Sequence, residues 1–232
     1  MENAICIILL SAFIIVLKII LDVKIKEIKK LNKNEELGNI TKKLPSDYTI
    51  AKELLEKLDN RNVKIEQAKN TQTSLYIALT NKISIADMKN NYARVQTIAH
   101  ECIHSCQPRK LLMFNFIFSN ITIIYFIISI ILTIMGIYTN YLLQIFILTI
   151  LSFTQFSVRS FLEIDAMTRA EFLAKEYLRG KNEISQDEAN KLYRSYKYIN
   201  KYGIPFVVWN LVTTAFFRVI IYCSITLIYN LV

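Results

Sequence analysis

The chain has 232 residues, 53% of them hydrophobic, yet it carries 28 Lys plus Arg against 19 Asp plus Glu, so apolar and charged residues must be segregated along it. The four cysteines do not make a disulfide framework, because Cys6 and Cys223 fall in or near apolar runs and Cys102 and Cys106 in a segment expected to face the reducing cytosol. The net charge of +9 does not point to nucleic acid either, since the cations flank apolar runs without an aromatic-basic binding motif, a pattern that suits anionic lipid.

The first apolar run, Ala4 to Leu21, is long enough to cross a bilayer. It lacks a basic leading region and is followed by the basic stretch KIKEIKKLNK, so it reads as a retained anchor over 1–21, with Lys18 snorkelling to the interface. A polar linker, helix or coil, is expected up to about Leu44. Pro45-Ser46-Asp47 then opens a helix in which Ile50, Leu54, Leu55 and Leu58 recur on one face. Val63 to Ile65 is a candidate strand. Ser74 to Leu79, a turn at Asn81-Lys82, and Ile83 to Ile85 read as a hairpin. A helix from about Asn91 to Gln107 must stop at Pro108. Residues 22–110 thus form an expected cytosolic α+β unit.

Two further spans, Leu111 to Ile134 and Tyr141 to Val158, make a transmembrane hairpin over 111–158. Residues 159–203 carry two expected helices, Ser160 to Arg179 with Gly180 as its stop, and one opened by the capping box Ser185-Gln186-Asp187-Glu188 and broken by Gly203 and Pro205. The last span, within 204–232, runs from Ile204 to about Tyr229 and holds Arg218 near its middle, expected to face the bundle or a wet cavity. Of the 28 cations, 17 lie in Asp22 to Lys110 and 9 in Arg159 to Gly203, which places both charged segments inside and the chain ends outside. The fold class expected is a mainly α membrane protein with about four transmembrane helices and a small cytosolic α+β unit.

The only two histidines lie in IAHECIHSCQ. His100 and His104 share one helical face, so both imidazoles can reach one zinc ion, while Glu101 is turned about 100° away, where it can serve as general base toward water. HExxH is a weak motif alone, but two randomly placed histidines fall four apart with a following Glu in only about 1 in 2,000 arrangements. Cys102 and Cys106 point away from that face and read as small apolar residues. A catalytic zinc usually takes three protein ligands, and no third histidine exists. The remaining ligand is therefore Glu, Asp or, as the less favoured choice, Cys on the same membrane side, with Glu163 and Asp165 in FLEIDA as the candidates.

These residues resemble the bacterial membrane-bound neutral zinc metallopeptidases called YugP-like, an HExxH group of gluzincin type. The resemblance runs from about Ala51 to Gly180 and rests on the anchor, the segment LYIALTNKISIA, the helix entering AHECIHSCQ, two spans, and Glu163-Ile164-Asp165-Ala166. It implies a zincin-like unit with one Zn2+ on His100, His104 and Glu163, Glu101 as catalytic acid/base, and Asp165 behind the ligands orienting a histidine, with Glu163 and Asp165 able to exchange roles. The family commonly has Gly before the second His, where this chain has the bulkier Ile103. The function implied is a zinc endopeptidase acting on juxtamembrane or cytosolic polypeptide at the bacterial cell membrane. Ser74 to Leu79 or Ile83 to Ile85 could offer an edge strand to substrate, and a second electrophile for the oxyanion is expected, with the choice open among Arg159, Tyr177 and other residues. The rival readings are a noncatalytic zinc-binding scaffold or regulator, and a structural four-span protein with chance histidines.

Overall fold

A computed structural model of the chain describes residues 2–30, 34–68 and 73–230. Residues 31–33 of the expected linker, and the extreme ends of the first and last expected segments, lie outside the described residues. The elements in chain order are α1 (Glu2–Ile20), α2 (Ile25–Lys30), α3 (Glu35–Lys42), α4 (Asp47–Lys57), β1 (Lys64–Gln67), β2 (Leu75–Ile77), β3 (Lys82–Ile85), α5 (Arg94–Cys106), α6 (Arg109–Ile134), α7 (Tyr141–Arg179) and α8 (Gln186–Tyr229). The protein is mostly helical, and α1, α6, α7 and α8 are each long and apolar enough to cross a membrane, as in a multi-pass membrane protein.

Two expected helix boundaries are absent. No Gly or Pro separates Tyr141 from Arg179, so the change from apolar to charged side chains leaves the backbone ladder intact and α7 is one helix of 39 residues. Likewise α8 runs through Gly203 and Pro205. Pro205 takes its own N–H out of the ladder and crowds the carbonyl four residues earlier, yet the helix continues on both sides of it. At Gly203, a Cβ would come 3.1 Å from Met167 Cε, so the bare Cα makes room for that side chain. The capping box is present as expected: Glu188 N–H donates to Ser185 Oγ at 3.2 Å and Ser185 N–H to Glu188 Oε2 at 2.9 Å.

The chain divides into two compact units. One comprises Met1–Val23, Phe114–Phe161 and Pro205–Val232. Its core contains Ile14, Leu148, Val212, Phe216, Val219 and Tyr222. Inside it, Asn3 Nδ2 donates to Thr226 Oγ1 at 2.8 Å. The Lys18 ammonium lies 5.3 Å from the centre of the Trp209 ring, a cation–π contact.

The other unit comprises Lys24–Met113 and Leu162–Ile204, so the two charged segments fold together. Its sheet has the order β1-β3-β2, with β1 parallel and β2 antiparallel to β3. Ile83 and Ile85 of the central strand are buried against Ile50, Leu54, Val95, Ile98 and Cys102. Ser46 caps α4 by accepting Thr49 N–H at 3.2 Å. The first residue of α5, Arg94, is 1% exposed. Its Nε lies 3.2 Å from Asp47 Oδ1, its guanidinium donates to the carbonyls of Leu44 and Pro45, and Asp47 Oδ2 accepts Met88 N–H at 3.0 Å. This ties the start of the histidine helix to the start of α4. On the other side, Gln96 Nε2 donates to Asn200 Oδ1 at 2.9 Å, and Asn200 Nδ2 donates to the Met167 carbonyl at 2.9 Å. Side chains on α5 and α8 thereby set the position of α7, the helix that carries Glu163.

Candidate metal centre

On α5 the two imidazoles stand edge to face, their centroids 4.5 Å apart, with His100 Nε2 and His104 Nε2 separated by 3.0 Å. The third member arrives from α7: Glu163 Oε2 lies 3.4 Å from His100 Nε2 and 3.8 Å from His104 Nε2. The point equidistant from these three atoms lies about 2.0 Å from each, the distance zinc keeps from imidazole nitrogen and carboxylate oxygen. Among the described residues, His100, His104 and Glu163 form the one group of three or more His, Cys, Asp or Glu side chains arranged to hold a metal ion. All three remain partly exposed, so the centre is open to a small molecule.

Gln107 supports this arrangement. Its Nε2 faces two acceptors, the Leu162 carbonyl at 2.8 Å and Asp165 Oδ2 at 2.8 Å, which orients its amide. Its Oε1 is then left to accept from His104 Nδ1 at 2.8 Å. A proton on Nδ1 leaves the lone pair of the neutral ring on Nε2, the atom that faces His100 and Glu163. Asp165, expected behind the ligands, has Gln107 and, at 3.4 Å, Arg169 as its partners, and its link to His104 runs through the Gln107 amide. The physical reason is reach, because Gln107 lies three residues after His104, and its extended backbone before Pro108 leaves the side chain free to return. Gln107 closed the quoted motif, but the spacing assigned it no role.

Glu101 is 6% exposed, and its Oε2 accepts Tyr76 N–H of β2 at 2.6 Å. Burial pushes its carboxyl above the ordinary value, against the lowering pull of His100, His104 and the Tyr76 hydrogen bond. Burial also pushes Glu163 up, but hydrogen bonds from His100 and His104 outweigh it and hold that carboxyl well below its usual range. For His104 burial favours the neutral ring, while Glu163 and Gln107 together raise it above the ordinary histidine value.

Several other expectations meet the structure here. Ile83 to Ile85 is the central strand, paired on both sides, and has no free edge; β2 is an edge strand, and its Tyr76 N–H is taken by Glu101. Tyr177 donates to Glu53 Oε2 at 2.5 Å and is committed there. Arg159 belongs to the other compact unit. Cys102 is buried in the core, as expected of a small apolar residue, whereas Cys106 is half-buried and lies 3.6 Å from Asn60 Nδ2. Ile103 is also buried in the core. Comparison of the chain with protein-family models, curated proteins and solved structures gave no match.

Proposed function

We propose that this chain is a membrane-bound zinc-dependent endopeptidase of the bacterial cell membrane, with its centre on the cytoplasmic side and juxtamembrane or cytosolic polypeptides as substrates. The observation that carries the reading is the common point about 2.0 Å from His100 Nε2, His104 Nε2 and Glu163 Oε2, beside a buried glutamate. Two nitrogens and one carboxylate oxygen suit zinc and leave one position for water or substrate. Zinc held there supplies Lewis-acid chemistry, making water a stronger nucleophile near neutral pH and polarising a carbonyl.

The rest falls to the chain's own residues. Glu101 accepts a proton from the attacking water and returns it to the leaving amine. Its contact with the Tyr76 N–H holds the carboxylate beside β2, the edge along which an extended peptide can lie. Gln107 keeps the His104 proton on Nδ1, and Asp165 holds the Gln107 amide. The separation of the two charged segments by a pair of apolar spans supports the membrane setting, and the Lys and Arg distribution supports the cytoplasmic side.

The test uses the purified full chain. One equivalent of zinc is expected in wild type and in Glu101→Gln, and a casein-like or membrane-protein substrate is cut by the first and not the second. Equal cleavage rates would end the peptidase reading. Zinc in Glu101→Gln with no cleavage by either protein would leave the noncatalytic zinc-binding role. Unchanged metal content in His100→Ala would end both.

A further inference from the structure

In the unit formed by α1, the apolar part of α6, the first part of α7 and the last part of α8, two arginines face one cleft of about 20 Å3. Gln155 and Arg159 are four apart on α7, Thr214 and Arg218 four apart on α8, and all four line it. Arg218 donates from Nη1 to Gln155 Oε1 at 2.6 Å. Gln155 is held from its other end as well, because its Nε2 donates to Ser119 Oγ at 3.1 Å. Among the described residues neither arginine has a carboxylate within 4.0 Å. Two guanidinium groups thus line one cleft whose other lining residues are all uncharged: Gln155, Thr214, Phe156, Leu211 and Ala215. A half-buried guanidinium such as that of Arg218 is costly in hydrocarbon unless an anion meets it.

We infer that this cleft binds the phosphodiester of an anionic lipid, one phosphate oxygen entering between Arg159 and Arg218 while the rest of the headgroup stays outside. Phosphate oxygens match the donor fork of arginine, which a Gln acceptor fills only in part. A cavity of this volume admits a single oxygen atom and no whole solute. A lipid is favoured over free phosphate by the surroundings: Phe153, Phe161 and Phe217, near these residues on the same helices, are each more than half exposed and offer apolar surface to acyl chains. Arg159, which is exposed, also leaves the headgroup an open approach.

The test is native mass spectrometry of the full chain from detergent micelles holding equal phosphatidylglycerol and phosphatidylcholine. Each cation near an anionic lipid contributes roughly a five-fold preference, so wild type should retain phosphatidylglycerol about thirty-fold over phosphatidylcholine, and Arg159→Gln or Arg218→Gln about five-fold less. Arg159 is exposed, so its variant keeps the experiment decisive if Arg218→Gln fails to fold. The same phosphatidylglycerol retention in wild type and Arg159→Gln would overturn the inference. Displacement of the lipid by millimolar inorganic phosphate would reassign the cleft to free phosphate and overturn it too. So would a bound acidic membrane polypeptide that both variants release while lipid retention stays constant.

Discussion

Replacing Gln107 with Leu removes the amide between His104 and Asp165 while keeping a side chain of similar size. Three hydrogen bonds are lost, each 2.8 Å long in the native protein. They are unequal in consequence. The Leu162 carbonyl sits within α7, where the helix ladder still supplies a donor, and the Asp165 side chain is 32% exposed and can turn to water. His104 Nδ1 has no such substitute in its partly buried position, so its unsatisfied N–H costs about 1 to 3 kcal/mol. Loss of a group that orients a metal-binding histidine weakens metal affinity by about 10- to 100-fold. Zinc affinity of Gln107→Leu, measured by competition with a chelator of known strength, should therefore fall by that factor, while Asp165→Ala, one step further from the ring, should lose no more than about three-fold. Asp165→Ala weakening zinc as much as Gln107→Leu, or Gln107→Leu binding as tightly as wild type, would refute the relay.

Shortening the third arm is a stricter test of distance: Glu163→Asp withdraws the carboxylate by about 1.5 Å, longer than any mismatch among the three donor separations, and zinc affinity measured by the same competition should drop at least about 10-fold. Arg94→Met should cost about 3 to 5 kcal/mol in thermal unfolding of the detergent-solubilised chain, because Asp47, 9% exposed, is left without its cation; a loss under 1 kcal/mol would show that the pair does not anchor α5. At Glu53, burial raises the carboxyl but hydrogen bonds from Lys181 and Tyr177 outweigh it, so the folded value lies below the unfolded one of 4.5. The carboxylate therefore adds stability above about pH 4.5 that fades as the pH falls through the lower folded value. Since the group is about one-third exposed, Glu53→Gln should cost only about 1 kcal/mol at pH 7 and nothing near pH 2, and a gap that grows on acidification would contradict the assignment.

Elements whose signals are local were legible in the chain. The α4 cap at Ser46, the Ser185–Glu188 box and the hairpin of β2 and β3 each follow from a few adjacent side chains. The parallel pairing of β1 with β3 is less so, because Lys64–Gln67 and Lys82–Ile85 meet only after an intervening strand has been made, and nothing in either segment names the partner. The continuity of α7 is hidden for a related reason, whereas α8 runs through Gly203 and Pro205, two residues that locally signal a break. Charge patterning marks where solvent changes, and the backbone of a helix does not respond to that boundary. Arg218 is visible in the chain as a misplaced charge, but its Gln155 neighbour depends on packing between α7 and α8 that joins residues 63 apart in sequence.

The candidate centre divides in the same way. Two histidines four apart form half a site from helical periodicity alone, and an acid near the start of the next polar segment completes the set by topology. What the chain does not announce are the contacts made by backbone or by neutral amides. The Tyr76 N–H that holds Glu101 belongs to the main chain, so no residue type at position 76 advertises it. Its consequence is nonetheless chemical. The same N–H lies on the edge strand that an extended peptide would use, so a substrate carbonyl accepting there competes with Glu101 for one donor. A peptide that took the donor would release the Glu101 carboxylate from β2, coupling occupancy of the edge to the freedom of the general base.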